Sequence, residues 1–500
     1  MSASQANTPP PLNSRVVGQG RWRFAGVFAL IGAVGALGHP PLAWPIFTFL
    51  SLVVVVTLAP WTFAPRRAAW AGWAYGAGYF AVTLHWIVEP FLVDIARHGW
   101  MAPFAIVLMA GGLALFWSAA FAIAARRQSG LVFALAFSAA ELLRAHLFTG
   151  FPWGMHVTAF VDVWLYQSAA FLGPHGLTLA LILAIVGASS LPRFWAPGAI
   201  GALAALSLGS LPAPEVPAPD APVIRVVQPN ARQDLKWRAD MMPVFMNRQF
   251  EATEADPKAD LVIWPEVALL AWLEEGAEFY EEAARRGGGA ELLIGANSFR
   301  NGQAYNALAH IGAEGQISAL YDKWHLVPFG EFMPLPGLFA RIGIYGLHPH
   351  EGFGFAAGSG PDTMSVPGIG VVQPLICYES IFAHEVGRGV ERPRLITVVT
   401  NDAWFGKLGG PAQHLAQSQA RAIEQGVPVA RSANTGISAI IDARGRIVTS
   451  LPLGLAGHVD APLPDALPPT LYAQLGDWPF FALFALVLLG HLFRHRSNTD

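Results

Sequence analysis

The chain has 500 residues, 53 % of them hydrophobic and 13 % charged. An average soluble domain is about 25 % charged, so the composition argues against a wholly water-soluble protein and against disorder, and Gly and Pro without a period exclude a collagen-like rod. Charge is split as well: residues 1–211 carry +6 and contain no Lys, residues 212–500 carry −9, and the net is −3. Neither part is basic enough to suggest nucleic acid.

A membrane-spanning helix needs about 20 mostly apolar residues. After a polar tail at 1–20, such stretches are predicted at Phe24–Leu37, Trp44–Thr62, Ala69–Phe91, Ala102–Ala125, Leu131–Phe148, Tyr166–Leu191 and Ala196–Leu211. They make residues 21–211 a membrane domain of about seven helices, and one more span is predicted over 478–493, before a tail at 494–500. With the N-terminus inside, Arg15, Arg21, Arg23, Arg66, Arg67, Arg126, Arg127, Arg193, Arg494 and Arg496 all fall on the inner side, and the short outer loops keep only Arg97. That asymmetry predicts cytoplasmic N- and C-termini and an extracytoplasmic segment from about 212 to 475.

Two polar features interrupt the spans. Glu141 and Arg144 lie three apart on one helix face, either as a lining that meets a lipid headgroup or as a mutual ion pair facing the bundle interior. Phe151-Pro152-Trp153-Gly154 reads as an interfacial turn with Trp153 as a membrane-interface anchor.

Residues 212–222 are a Pro-rich linker. Short β-rich runs follow at Val223–Val227, Leu261–Trp264, Leu292–Ala296, Ala307–Ile311, Ile317–Tyr321, Val371–Tyr378, Ile396–Thr400, Val427–Arg431, Ser438–Ile441 and Ile447–Ser450. Helices are predicted at about 239–254, 274–286 and 411–425. Several runs are apolar on both faces, as in central strands. Residues 223–460 therefore form a layered α/β or α+β domain, and a second Pro-rich linker, 461–477, leads to the last span.

No Walker A, HExxH, GxSxG or dinucleotide fingerprint is present. The single cysteine, Cys377, excludes an intrachain disulfide and a multi-cysteine metal site. His325 and His414 read as structural rather than as metal ligands. Three strand-end motifs stand out: Val262-Ile263-Trp264-Pro265-Glu266, Tyr321-Asp322-Lys323 running on to Glu331, and Pro374-Leu375-Ile376-Cys377-Tyr378-Glu379. Each alone has a bland reading as packing or a solvated loop. Together they supply a base, a cation and a thiol from the strand ends of one domain, where open α/β folds place chemistry. A thiolate nucleophile needs a base for its proton and a positive group for the developing charge. Glu266, Lys323 and Cys377 fill those roles.

In this order, the Trp-Pro-Glu266 motif, the Asp-Lys323 motif with His325-Leu-Val-Pro-Phe-Gly-Glu331, and Cys377-Tyr378-Glu379 resemble the carbon–nitrogen hydrolase (nitrilase) superfamily. With seven spans before and one after, residues 20–495 resemble the apolipoprotein N-acyltransferase family. Gln228-Pro229-Asn230, Lys236-Trp237, Asn401–Gly406 and Arg431–Gly436 also look like family segments. Trp324 departs from the expected variable polar residue and receives no role.

The resemblance implies an αββα sandwich with Glu266, Lys323 and Cys377 as catalytic triad. It implies Glu331 and Glu379 as supports, and the backbone N–H of Tyr378 as a second oxyanion donor. Trp237, Trp404 and Phe405 would help to exclude water and bind substrate, their bland reading being interfacial packing. The implied donor is a phospholipid, the acceptor a diacylglyceryl-modified apolipoprotein, and the site the outer face of a bacterial inner membrane, on the periplasmic side. No cofactor, metal or nucleic acid is implied, and a monomer is expected. Two other readings share the residues: a membrane-tethered amidase using water as second nucleophile, and a transporter or receptor whose soluble domain only binds.

Overall fold

The computed structural model describes residues 20–207, 217–218, 220–335, 337, 341 and 354–497. The tail at 1–19, most of the linker at 208–219 and the last residues, 498–500, lie outside the described residues.

Each predicted span contains a helix: Arg21–Ala36, Pro45–Thr57, Pro65–Thr83, Ala102–Arg127, Gly130–His146, Ala169–Ser189, Ala196–Ser207 and Trp478–Ser497. Among the described residues four helical stretches are long and apolar enough to cross a membrane: Pro45–Thr62, Ile95–Arg127, Gly130–Thr149 and Trp164–Ser189. The stretch predicted to Phe91 stops early, because the helix ends at Thr83 and the chain continues in short turns through Glu89-Pro90. On Ala102–Arg127 one side is buried through Leu113, Trp117 and Phe121, while Phe104, Val107, Leu108 and Leu115 are exposed. Exposed apolar surface of that extent on a helix is what lipid would cover.

Glu141 and Arg144 form an ion pair at 2.7 Å with neither side chain exposed. Trp117 Nε1 also donates to Glu141, and Arg144 donates to the carbonyls of Phe151 and Trp153. The pair therefore faces inward and fixes the turn that follows it, with its remaining hydrogen-bonding capacity used by backbone, as a buried pair requires. Trp153 is not an interfacial anchor. It is fully buried, and its Nε1 donates to Gln413 Oε1 at 2.8 Å, 260 residues along the chain.

Among the described residues the second region has twelve strands: β1 Val223–Gln228, β2 Leu261–Ile263, β3 Glu291–Arg300, β4 Gln303–Ile311, β5 Ile317–Asp322, β6 Met364–Val366, β7 Gly370–Ile376, β8 Leu395–Thr400, β9 Val429–Ala433, β10 Ser438–Ile441, β11 Ile447–Leu451 and β12 Gly457–Pro462. They form two six-stranded sheets, β12-β1-β2-β3-β4-β5 and β11-β10-β9-β8-β7-β6. In each, three central strands are parallel (β1-β2-β3 and β7-β8-β9) and the flanks are antiparallel. Side chains alternate as the pleat demands. Ile224, Val226, Leu261 and Ile263 face Val372, Ile376, Leu395 and Val399 in a core between the sheets. Val227, Val262 and Leu292 turn outward under the helices Met242–Glu254 and Ala277–Gly287. Leu375, Ile396 and Val398 turn outward under Gly410–Gln425. The layering is helix, sheet, sheet, helix.

Two strands were not predicted. β6 is three residues long. β12 pairs antiparallel with β1 and takes in Ala461-Pro462, so the stretch expected to begin the linker at 461 begins as sheet.

The two regions share one apolar core. Tyr378, Ile381, Phe382, Ala416, Ala420 and Ile423 of the second belong to the same buried cluster as Tyr79, Phe80, Trp117 and Trp153 of the first.

Candidate active site

Strands from the parallel centre of each sheet bring the chemistry to one end of the sandwich. Glu266 follows β2 through Trp264-Pro265, Cys377 follows β7, and Asn401 follows β8. Lys323 comes from the neighbouring edge, just past β5, where its N–H donates to Asn306 O. The Pro265-Glu266 loop lies against β3 so closely that a Cβ at Gly295 would collide with Pro265 O; only glycine allows that approach.

Cys377 sits at φ +52, a left-handed conformation that a residue with a Cβ adopts at a cost. The strand stops there and a 3₁₀ turn, Cys377–Ile381, begins. This elbow lifts the thiol out of the sheet toward Glu266 and Lys323. All three side chains are buried.

Lys323 Nζ is 2.8 Å from Glu331 Oε1 and 3.6 Å from Glu266 Oε1. Burial opposes its charge, but Glu331, then Glu266 and Cys377, more than offset this and hold its pKa above the usual lysine value. Lys323 is therefore a fixed cation. Burial pushes the Cys377 thiol well up, Glu266 adds to the effect, and Lys323 only partly opposes it. The resting nucleophile is thus a thiol that must lose its proton as it attacks. Glu266 is placed to take that proton and is held on both oxygens: Asn306 Nδ2 donates to Oε1 at 2.7 Å and the N–H of Asn401 donates to Oε2 at 2.7 Å.

Glu331 binds Lys323, receives a 3.3 Å hydrogen bond from the same Asn306, and accepts from the N–H of Val327. Glu379 accepts from the N–H groups of Ile376, Trp324 and His325 and from the Tyr321 hydroxyl. It ties the nucleophile elbow to the Lys323 loop. Burial raises its pKa to about 7, against the pull of these donors and of Lys323. Tyr378 points the other way, its hydroxyl donating to Gly150 O in the membrane region.

The sequence did not single out two supports. Asn306 lies in the middle of β4 with no local signal, and Asn401 was visible only as part of a family-like segment. Nor did it reveal the network beneath the elbow. There His414 Nε2 lies 3.1 Å from Cys377 O, His414 Nδ1 lies 2.9 Å from Asp402, and Arg431 donates to Asp402. Burial opposes the charge of Asp402, but Arg431 and His414 bring its pKa down to about 2. His325 likewise has a structural partner, Glu385, at 2.8 Å. Among the described residues no group of three His, Cys, Asp or Glu stands where it could hold a metal ion.

The three aromatic candidates separate. Trp237 is exposed, with its ring 6.0 Å from Lys236 Nζ. Phe405 packs on Trp86 and Trp153, at 4.8 and 5.6 Å between ring centroids, so it belongs to the joint with the membrane region. Trp404 is half-buried. The three do not meet.

Residues 224–461 match the family described as Carbon-nitrogen hydrolase, and residues 31–187 match the Apolipoprotein N-acyltransferase N-terminal domain. The fold and the cysteine site are those of a carbon–nitrogen hydrolase domain joined to a membrane region. An apolipoprotein N-acyltransferase of Rhodopseudomonas palustris is 38 % identical, over 95 % of this chain and 96 % of its own length. One of Caulobacter vibrioides is 37 % identical over 93 % of each. Among solved structures, an amidase from a Nesterenkonia species aligns at 19 % identity and TM-score 0.36, over 53 % of this chain and 96 % of that one. The chain belongs to the apolipoprotein N-acyltransferase family and is a membrane acyltransferase.

Proposed function

We propose that this enzyme moves an acyl chain from a phospholipid to the N-terminal α-amine of the S-diacylglyceryl-cysteine of an apolipoprotein, the last step of bacterial lipoprotein maturation. The observation that carries this reading is the meeting of Glu266, Lys323 and Cys377 in a buried site whose nucleophile turn shares a core with membrane-type helices.

Glu266 takes the thiol proton as Cys377 Sγ attacks the ester carbonyl. Lys323 and the backbone N–H of Tyr378 hold the oxyanion; that N–H opens a 3₁₀ turn and has no partner within it. Glu266 then protonates the leaving alkoxide, and lysophospholipid departs from a thioester on Cys377. The acceptor amine attacks the thioester, and the amide leaves, in a ping-pong sequence. Asn306 and Asn401 keep Glu266 aimed through both halves, and Glu331 keeps Lys323 charged. Water has to be kept from the thioester, a role we assign to Trp237, in the turn after β1, and Trp404, in the 3₁₀ turn after β8. Phe405 contributes by sealing the joint beneath it.

Both substrates are lipids, and each CH₂ drawn from the bilayer costs about 0.8 kcal/mol. A site fixed against the helix bundle lets acyl chains stay in lipid. We read eight spans, cytoplasmic termini, a catalytic domain over 223–460 on the periplasmic side and a monomer as the arrangement that fits the arginine asymmetry. The amidase reading leaves the shared core without a purpose.

The test is the intact mass of the purified protein after incubation with phospholipid alone. Wild type gains one acyl chain, removable by neutral hydroxylamine, and Cys377→Ala gains none. A folded wild type that never acylates, or a Cys377→Ala variant that still transfers, would end this reading.

A further inference from the structure

The two halves of the proposed reaction differ by one proton. In the first, the C–O bond breaks, the C–S bond forms, and the thiol proton leaves with the alkoxide, so nothing is left over. In the second, the acceptor enters mostly as an ammonium, since an α-amine has a pKa of about 8. The C–S bond breaks and the C–N bond forms, and two protons leave nitrogen. One restores the Cys377 thiol and the other has to leave the site.

Glu266 can carry one proton at a time. Lys323 is held charged by Glu331, and Glu331 is bound to Lys323, Asn306 and Val327. Glu379 spends its oxygens on four donors on the far side of the elbow. One ionisable group near Glu266 has no part in these networks. Lys236 is 2 % exposed, and among the described residues its Nζ forms no hydrogen bond or ion pair, though it lies 6.0 Å from the Trp237 ring centroid. Its side chain lines a small cavity together with Glu266, with room for about one water. Other walls come from the helix Met242–Glu254 (Phe245, Gln249), the loop after β2 and Asn434, and Glu266 is the only titratable group among them besides Lys236. Arg248, the nearby charge on that helix, is turned to Pro229 O at 2.9 Å. On the outer side the next residue is the exposed Trp237.

We propose that Lys236 is the proton outlet of the transfer half-reaction: its free amine receives from Glu266, through a water in the cavity between them, the proton that amide formation releases, and passes it to bulk water beside Trp237. Lys236 acts through Glu266 and does not touch substrate. Burial lowers its pKa to about 8, and Glu266 opposes that only partly. At neutral pH about one Lys236 in ten is then a free amine, against well under one in a hundred for an exposed lysine.

The inference rests on the acyltransferase reading, and the half-reactions separate the two. Full-length protein in detergent micelles is first acylated with phospholipid, and a diacylglyceryl-cysteine peptide is then added. For Lys236→Met, acylation stays within about threefold, while transfer at pH 7 falls by about tenfold or more, the scale of lost proton transfer. The deficit shrinks as pH rises toward 9, where the acceptor arrives deprotonated. Lys236→Arg is as slow as Lys236→Met, because a guanidinium keeps its proton. Retained acylation is the proof of folding. Equal loss in both halves, unchanged transfer, or recovery in Lys236→Arg overturns the outlet. A wild type that forms no thioester instead overturns the reading beneath it.

Discussion

Of the helices that cover the outer faces of the two sheets, Ala277–Gly287 and Gly410–Gln425 live in different surroundings. Ala277–Gly287 buries only Ala283, Ala284 and Gly287. Its Glu282 pairs with Arg285 and Arg286 at the surface. Gly410–Gln425 is buried at every position except Ala412. Its polar side chains face the membrane region: Gln413 bonds Trp86, Trp153, Pro40 O and Thr83 O, Gln419 bonds Asp162, and Glu424 accepts from Tyr166. Both helices read as amphipathic, yet only the first has water on its polar side. A polar helix face reports that something polar covers it, and here that is another layer of protein.

This contrast predicts unequal responses to substitution. Arg421, fully buried, holds Glu424 at 2.7 Å and Ile381 O just past the elbow. Arg421→Ala leaves a buried carboxylate unpaired and is expected to lose about 3–5 kcal/mol and most transferase activity, measured by unfolding in detergent and by peptide acylation. If its melting temperature matched wild type, the covering layer would not hold this helix. Gln413→Ala strands two indole N–H groups and two carbonyls, for a loss of about 2–3 kcal/mol; a shift no larger than that of a surface variant would show the joint to be loose.

Asp402, in the same layer, gives a pH signature. Its folded pKa of about 2 lies below the ordinary 3.8, so its stabilisation is complete above the ordinary value and is lost as pH falls through about 2. Asp402→Asn should therefore cost about 2 kcal/mol near neutral pH, and the gap to wild type should close as pH falls from 4 toward 2. A gap independent of pH would contradict a charged Asp402. On the water-covered helix, Arg285→Ala should leave the unfolding midpoint unchanged, and a clear drop there would erase the contrast.

Much of the sandwich was legible because its central strands are apolar on both faces, and the catalytic candidates were legible because they follow such strands directly. Glu266, Lys323, Glu331, Cys377 and Glu379 come together as the motifs suggested. β12 was hidden because His458-Val459-Asp460 is only half-buried and lacks an apolar run. Asn306 was hidden because a polar residue inside a strand carries no sign of its partner 40 residues away. Trp153 was misread in kind: an aromatic residue near a membrane suggests lipid, whereas this one packs on Phe405 and donates to Gln413. Which surface covers a side chain depends on contacts hundreds of residues apart, and local pattern does not encode them.

The pairing of β1 with β12, in which Val223 faces Pro462, also bears on biosynthesis. The first strand of the domain lies beside the last, so the emerging chain cannot complete its first sheet until residue 462 has left the ribosome. Until then one side of β1 offers unpaired backbone, and the sheet on which Glu266 depends is open. Translation that stops short of β12 leaves an edge able to pair with other chains, so quality control on this enzyme would act late, near the end of synthesis.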